Sequence, residues 1–355
     1  MKTNAHVTKC NSCGADMIYN PTTQGLYCPY CDNQREIKKY PTRLRDYHEE
    51  RSDSVVDDST QAYKCPNCGG EISYDAYVTS TKCPFCSATN VVKLDSAQGL
   101  IPNGILPFLL TKEMACEAGT RWIKKKFFAH GSFKKNFKPE NFNGVYVPSY
   151  LFSSDTFTRY KARLGEHYTV TVGSGKNRRT ETRTRWFSVS GELSKYFKDI
   201  IVEATKQLTQ DEMNRISPYD TENLEAYQKE YIAGFSSERN DASLDEGILV
   251  ARNIMDAEIQ REALSRYRYD VVGSFDAETS YSAIGFHYAL VPIWIFGCKH
   301  KDKQYRYIVN GRTGRSYGKY PLSVGKIAAL VIAVLAVAVT FIALYLTNSG
   351  FFEFY

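Results

Sequence analysis

Cys10-Asn11-Ser12-Cys13-Gly14, followed after fourteen residues by Cys28-Pro29-Tyr30-Cys31, recurs as Cys65-Pro66-Asn67-Cys68-Gly69 and, after another fourteen, Cys83-Pro84-Phe85-Cys86. A zinc ion takes four such ligands in a tetrahedron, with Zn–S distances of about 2.3 Å. Two cysteines separated by two residues reach one ion from a single tight turn. Two such turns on neighbouring hairpins complete the shell. The matched spacing predicts two zinc ribbons, residues 1–34 and 62–95. The first is held by Cys10, Cys13, Cys28 and Cys31, the second by Cys65, Cys68, Cys83 and Cys86. Gly14 and Gly69 follow each first knuckle, where a positive φ is useful. Pro29 and Pro84 preset φ in each second knuckle. Tyr19 and Tyr74 occupy matching places, as do Tyr30 and Phe85, and are expected to cap each ribbon. Four cysteines leave no open coordination position, so the expected zinc is structural. A disulfide framework fits less well, because no apolar run follows Met1-Lys2-Thr3-Asn4 and reduced thiols imply a cytosolic setting.

At the other end, residues 327–346 are twenty consecutive residues without a charge, mostly Ala, Val, Ile and Leu. As a helix they span about 30 Å, the thickness of a bilayer's hydrocarbon core. A transmembrane helix is expected there. Arg312, Arg315, Lys319 and Lys326 precede it, whereas the tail at 347–355 carries Glu353 and no Lys or Arg. The positive-inside rule places the N-terminal bulk in the cytoplasm. Phe351, Phe352, Phe354 and Tyr355 then form an aromatic belt at the far interface. The expected protein is single-pass and tail-anchored in the cell membrane.

Residues 35–61 are polar and charged, with Asp57-Asp58-Ser59-Thr60 near the end, and read as a linker. Residues 100–322 are rich in Tyr and Phe and long enough to bury a real core. Met114, Ala115, Ala118 and Trp122 recur at helical spacing behind Thr111, an N-cap candidate. Ser243-Leu244-Asp245-Glu246 is a capping-box pattern, and Leu244, Ile248, Ala251, Met255 and Ile259 line one helix face. Residues 168–172 alternate and end at Gly173-Ser174-Gly175; 305–309 run into Asn310-Gly311, a short-hairpin signal. Val147-Pro148-Ser149-Tyr150-Leu151-Phe152 echoes Val291-Pro292-Ile293-Trp294-Ile295-Phe296. Each reads as a buried strand with its proline at a strand start or an edge. The fold class expected is α+β.

Two basic features stand out. Arg121, Lys124, Lys125, Lys126, Lys134, Lys135 and Lys138 lie in a stretch without an acidic residue, interleaved with Phe127, Phe128, Phe133 and Phe137. Such a stretch fits nucleic acid, anionic lipid, or a solvated helix face over apolar residues. In 178–185, threonines alternate with Arg179, Glu181, Arg183 and Arg185, which suggests an exposed strand paired with 168–172 and guarded by charge. No G-x-x-x-x-G-K-[ST] loop, H-E-x-x-H or G-x-S-x-G elbow occurs. Cys116, Cys298, His130, His167 and His287 form no catalytic motif in sequence. No enzymatic activity is expected. The net charge of +6 suits a partner of either acidic kind.

The order of these parts resembles a bacterial family of TFIIB-type double zinc-ribbon, C-terminally anchored membrane proteins, the YdjG-like proteins. The features that carry it are the eight ribbon cysteines, the two Val-Pro strands, Tyr305-Arg-Tyr-Ile-Val-Asn-Gly-Arg-Thr-Gly314 and the terminal span. The resemblance implies a non-enzymatic membrane component. In some cases such components associate with phage-shock protein A and an SPFH-type scaffold in envelope stress. Ribbons of this kind are also found in primosomal helicases, but the missing nucleotide loop argues against that activity. The leading expectation is an adaptor with two structural Zn2+ ions that docks protein partners at the membrane. The alternative is a membrane-tethered nucleic-acid-binding protein.

Overall fold

The computed structural model describes residues 9–48, 61–74, 83–85, 92–93, 101–135, 137–205, 207–240, 242–300 and 303–348. Cys86, the end of the expected linker and residues 349–355, with the aromatic tail, lie outside them. A small antiparallel sheet opens the chain: β1 (Ile18–Asn20), β2 (Gly25–Tyr27) and β3 (Gln34–Glu36). The remaining described strands join one sheet: β4 (Arg45–Asp46), β5 (Gln61–Lys64), β6 (Glu71–Tyr74), β7 (Val92–Lys93) and β8 (Gly104–Ile105) come first. After helices α1 (Lys112–Lys124) and α2 (Gly131–Lys135) follow the long strands β9 (Phe142–Val172) and β10 (Arg179–Glu203). Then come α3 (Gln210–Ile216), β11 (Glu225–Ala226), β12 (Ser236–Glu238), α4 (Leu244–Leu264), β13 (Val271–His300), β14 (Lys303–Asn310) and β15 (Ser316–Gly318). The chain ends in α5 (Val324–Asn348). The architecture is mixed α+β.

β9 carries the sheet, with β10 on one side and β13 on the other, both antiparallel. Its sequence divides it in two. Residues 145–154 are buried on both faces, while 155–163 alternate exposed and buried, the mark of a sheet covered on one side only. The division falls at two β-bulges that lie opposite each other. The register slips between Phe197 and Ile200 on one side and between Ser282 and Gly285 on the other, with Asp199 and Ala283 at positive φ. Serine hydroxyls take up backbone groups there: Ser153 Oγ accepts from Asp199 N (3.0 Å) and Ser154 Oγ donates to Ser282 O (3.0 Å). Bulges increase local twist, so the sheet re-aims at this line. Beyond it, residues 155–172 form a blade roughly 60 Å long at 3.3 Å per residue.

One face of the blade packs on α4. The capping box at Ser243 and Glu246 forms as expected, and Ile248, Ala251, Met255 and Ile259 are buried against Phe152, Leu193, Phe197 and Phe286. Lys195 Nζ ties α4 to β10 through Glu258 (2.6 Å) and Glu262 (2.8 Å). The tip is the expected hairpin: Thr180 and Thr182 pair with Thr171 and Thr169, and Arg179, Glu181 and Arg183 line the other face.

Several expectations need correcting. The two Val-Pro segments meet antiparallel, Val147 directly opposite Val291, several residues inside the two central strands. Neither proline starts or edges a strand. Pro148 O accepts from Ala204 N just past the end of β10, and Pro292 O accepts from Gly311 N just past the end of β14. N–H and C=O of one strand residue point to the same side, so each missing donor falls where the outer neighbour stops. Asn310-Gly311 is not a two-residue turn. Asn310 is fully buried, and a longer loop closes with Gly314 at φ 75°. On α1 the Thr111 cap holds, but the buried face is Ala115, Cys116, Gly119 and Ile123, and Met114 is exposed. The first part of the expected linker is docked: β4 pairs with β13, and the buried Tyr47 donates to Asp245 (2.6 Å).

Burial pushes the Glu203 carboxyl from an ordinary 4.5 up to about 7. Between those values the folded state keeps a proton that the unfolded chain gives up, so this group lowers stability as pH rises from about 4.5 to about 7. Glu203→Gln is expected to raise the melting temperature at pH 8 and leave it nearly unchanged at pH 4. Thermal scans at both pH values check this, and an equal shift at both would contradict it.

Candidate metal centres

Each first knuckle is built by the same device. Gly14 N donates to Cys10 O (2.9 Å) with Gly14 at φ 74°, and Gly69 N donates to Cys65 O (2.8 Å) with Gly69 at φ 77°. The second knuckle of the first module closes in the same way without glycine. Asp32 takes φ 59°, and its N donates to Cys28 O (3.0 Å). Asp tolerates this left-handed conformation better than most residues.

The turns bring Cys10, Cys13, Cys28 and Cys31 together, and Cys65, Cys68 and Cys83 in the second module. Within each group all sulfurs lie within 4.8 Å of one another. Cys10 and Cys31 are 3.5 Å apart, Cys13 and Cys28 3.5 Å, and Cys68 and Cys83 3.6 Å. A disulfide would need about 2.05 Å. A tetrahedral zinc with 2.3 Å bonds sets its sulfurs about 3.8 Å apart. The four thiols of the first module fit a closed tetrahedral zinc site, and the three described in the second fit the same kind of ion, Cys86 lying outside the described residues.

The thiols of the first module influence one another's ionisation. Backbone N–H groups of Cys13 and Ser12 pull the Cys10 thiol down to about 6. The Asn33 N–H pulls on Cys31 likewise, yet the neighbouring Cys10 and Cys13 thiols push Cys31 up to about 12. A thiolate forms readily at one corner and makes the next one costly. A bound divalent cation removes that conflict.

Both centres are set into the core of the main fold. Cys10, Tyr19, Leu26 and Cys28 share a cluster with Phe108, Tyr146 and Trp294. Tyr19 donates to Phe108 O (3.1 Å) and stands edge-on to Tyr231. Cys65, Ile72, Cys83 and Phe85 share another with Val145, Val147, Val291 and Ile308. β6 pairs with β12, which pairs with β9, so the second module is continuous with the central sheet. Arg306 fastens this corner, donating to Gln207 O (2.6 Å) and Glu212 (2.7 Å), while Gln207 Nε2 donates to Cys68 O (3.3 Å). The expected aromatic cap is only partly found: Tyr19 and Phe85 pack into the main core, but Tyr30 is 80% exposed.

The basic stretch divides. Phe133 and Phe137 enter the core against Phe296 and Tyr307. Arg121, Lys124, Lys125, Lys135 and Lys138 are exposed, Lys126 and Lys134 half-buried, and Phe127 stands 66% exposed. Cys116 is buried in α1 and Cys298 half-buried in β13. His287 is buried, within reach of Asn103 Nδ2 (3.4 Å), and burial holds it below its ordinary value. His130 packs against His300 with ring centroids 4.5 Å apart and planes tilted by 49°.

A relative described as the uncharacterized protein YdjG of Bacillus subtilis (strain 168) is 26% identical over 322 residues. The alignment covers 90% of this chain and 92% of that one. No family model and no solved structure matches. The similarity extends over nearly the whole chain.

Proposed function

We propose that this chain is a non-enzymatic, membrane-anchored zinc-ribbon adaptor. Two structural zinc ions hold its N-terminal modules, α5 crosses the cell membrane, and the N-terminal bulk faces the cytoplasm. The span reading is supported by the helix segment Val324–Tyr345, 22 residues of mean hydropathy 3.0 that are uncharged from Ile327 on and not buried among the described residues. Arg315, Lys319 and Lys326 stand before it, on the side the positive-inside rule keeps in the cytoplasm. Arg312 does not serve there, because it is buried in an ion pair with Asp220.

One observation carries the adaptor reading: the blade has a face that no described residue covers. Phe157, Arg159, Lys161 and Arg163 on β9 lie between Trp186 and Tyr196 on β10 and Asp276 and Glu278 on β13, all exposed. Arg159 bonds Glu192 (3.0 Å) and Arg163 stacks over Trp186 at 5.1 Å. Exposed aromatics held among arginines are what protein interfaces are built from. The ribbons, sunk in the core, support the sheet, and the docking role passes to the blade. The likeness to YdjG-like proteins suggests a phage-shock or SPFH-type scaffold as the partner class.

The test is affinity capture from detergent-solubilised membranes. The wild-type chain is expected to bring down a stoichiometric protein partner, and a Trp186→Ser, Tyr196→Ser double variant with unchanged melting temperature is expected to lose it. Equal recovery by both would remove the blade from the role. Recovery by neither would remove the adaptor reading.

A further inference from the structure

The loop after α1 is fastened to the start of α5. Ser323 N donates to Phe128 O (2.8 Å), His130 N donates to Pro321 O (2.9 Å), and Ala129 forms a β-bridge with Leu322. Lys326 Nζ donates to Phe127 O (2.9 Å) and lies 5.3 Å from the centre of the Phe127 ring. Lys326 is the last charge before the apolar run, so Phe127 sits within about one helical turn of its beginning. Leu322 and Val324, beside it, are exposed too.

Lys124 and Lys125 precede Phe127 at the end of α1, and Lys134 and Lys135 follow it on α2. Lys124, Lys125 and Lys135 are exposed and Lys134 half-buried. Among the described residues none of these four makes an ion pair, and Glu140 lies 3.8 Å from Lys138. An exposed aromatic ring in a lysine-rich segment, at the foot of a membrane-length helix, matches the chemistry of the bilayer interface. There rings lie at headgroup level and lysines meet phosphate. A nucleic-acid duplex approaching the same lysines would collide with the bilayer that α5 occupies.

We propose that Lys124, Lys125, Lys134 and Lys135, with Phe127, form a platform that binds anionic phospholipid headgroups beside the span. The platform rests on the reading that α5 is a membrane anchor, and its test separates the two.

The full-length chain is placed in nanodiscs of dibrominated phosphatidylcholine, alone or with about one-third phosphatidylglycerol. Bromine quenches a nearby tryptophan. Phe341→Trp reports the span and Phe127→Trp the platform, each read against the wild type. Phe341→Trp is expected to be quenched in both lipids. Phe127→Trp is expected to lose roughly half of its added emission with phosphatidylglycerol present. Changing the four lysines to Gln in that background should reduce the loss at least about two-fold and leave Phe341→Trp unaffected. A quenched Phe341→Trp beside an unquenched Phe127→Trp would overturn the platform and leave the anchor standing. Quenching of Phe127→Trp that is indifferent to phosphatidylglycerol and to the lysines would also overturn it. So would a gel shift with single-stranded RNA or duplex DNA that depends on the same four lysines in phosphatidylcholine alone. An unquenched Phe341→Trp overturns the anchor and the platform together.

Discussion

Stripping zinc from the folded chain is expected to melt the central sheet along with the ribbons, in one transition. Cys10 and Cys28 share a core with Phe108 and Trp294, and Cys65 and Cys83 share one with Val147 and Val291. Structural zinc contributes about 10–16 kcal/mol of apparent binding energy, and a whole domain is stable by only about 5–15 kcal/mol. Loss of either ion is thus comparable to everything that holds the fold. Metal analysis of the wild type should find two zinc ions per chain. Cys28→Ser and Cys65→Ser should each lose one ion and unfold tens of degrees lower, as read by thermal scans. Two separate transitions would mean that the modules stand free of the sheet. A metal-free chain that melts like the wild type would end the structural-zinc reading.

Breaking the pair between buried Arg312 and half-buried Asp220 is expected to cost up to about 3 kcal/mol, the low end for removing one partner of a buried pair, because the Asp220 side chain is 32% exposed. Arg312 is 8% exposed. Its Nε bonds Asp220 Oδ1 (2.8 Å), its Nη2 bonds Oδ2, and its Nη1 bonds Pro107 O (2.9 Å). Asn310 completes the knot, donating to Ile216 O (3.0 Å) and accepting from Arg312 N (2.8 Å). Three segments distant in sequence depend on this one fork, so Arg312→Ala should lower the urea midpoint steeply. Arg312→Lys should recover only part, since an ammonium cannot bond both oxygens and the carbonyl in the same plane. Asp220 tends upward through burial, but the guanidinium holds its carboxyl below the ordinary range. Its contribution is therefore full above the unfolded value, about 3.9, and is lost as pH falls through the lower folded one. The gap between wild type and Asp220→Asn should be wide at pH 7 and close under strong acid. A gap that stays constant with pH would contradict this account.

Much of the site was legible because its chemistry closes over short distances. CxxC spacing with a following glycine specifies a knuckle, and the structure puts those sulfurs where one ion can take them. The capping boxes and the apolar run of α5 are equally local. The blade was read only at its tip. Thr156, Thr158, Tyr160, Ala162 and Leu164 alternate inward along β9 and offered the missing signal. Charged neighbours on the outer face masked it, because α4 covers only the inner one.

The sequence by itself determined which of the described cysteines gather in each module, the helix caps at Thr111 and Ser243 and the length of the C-terminal apolar helix, since each is satisfied within a few turns of chain. Only the tertiary structure decided that the cysteine modules form walls of the central core. It alone buried Arg312, which the sequence offered as a flanking charge. It also brought Phe127 to Lys326 across 199 positions. Those outcomes depend on which apolar faces meet and which backbone groups lack a local partner. That is a competition among distant segments, and local spacing carries no record of it.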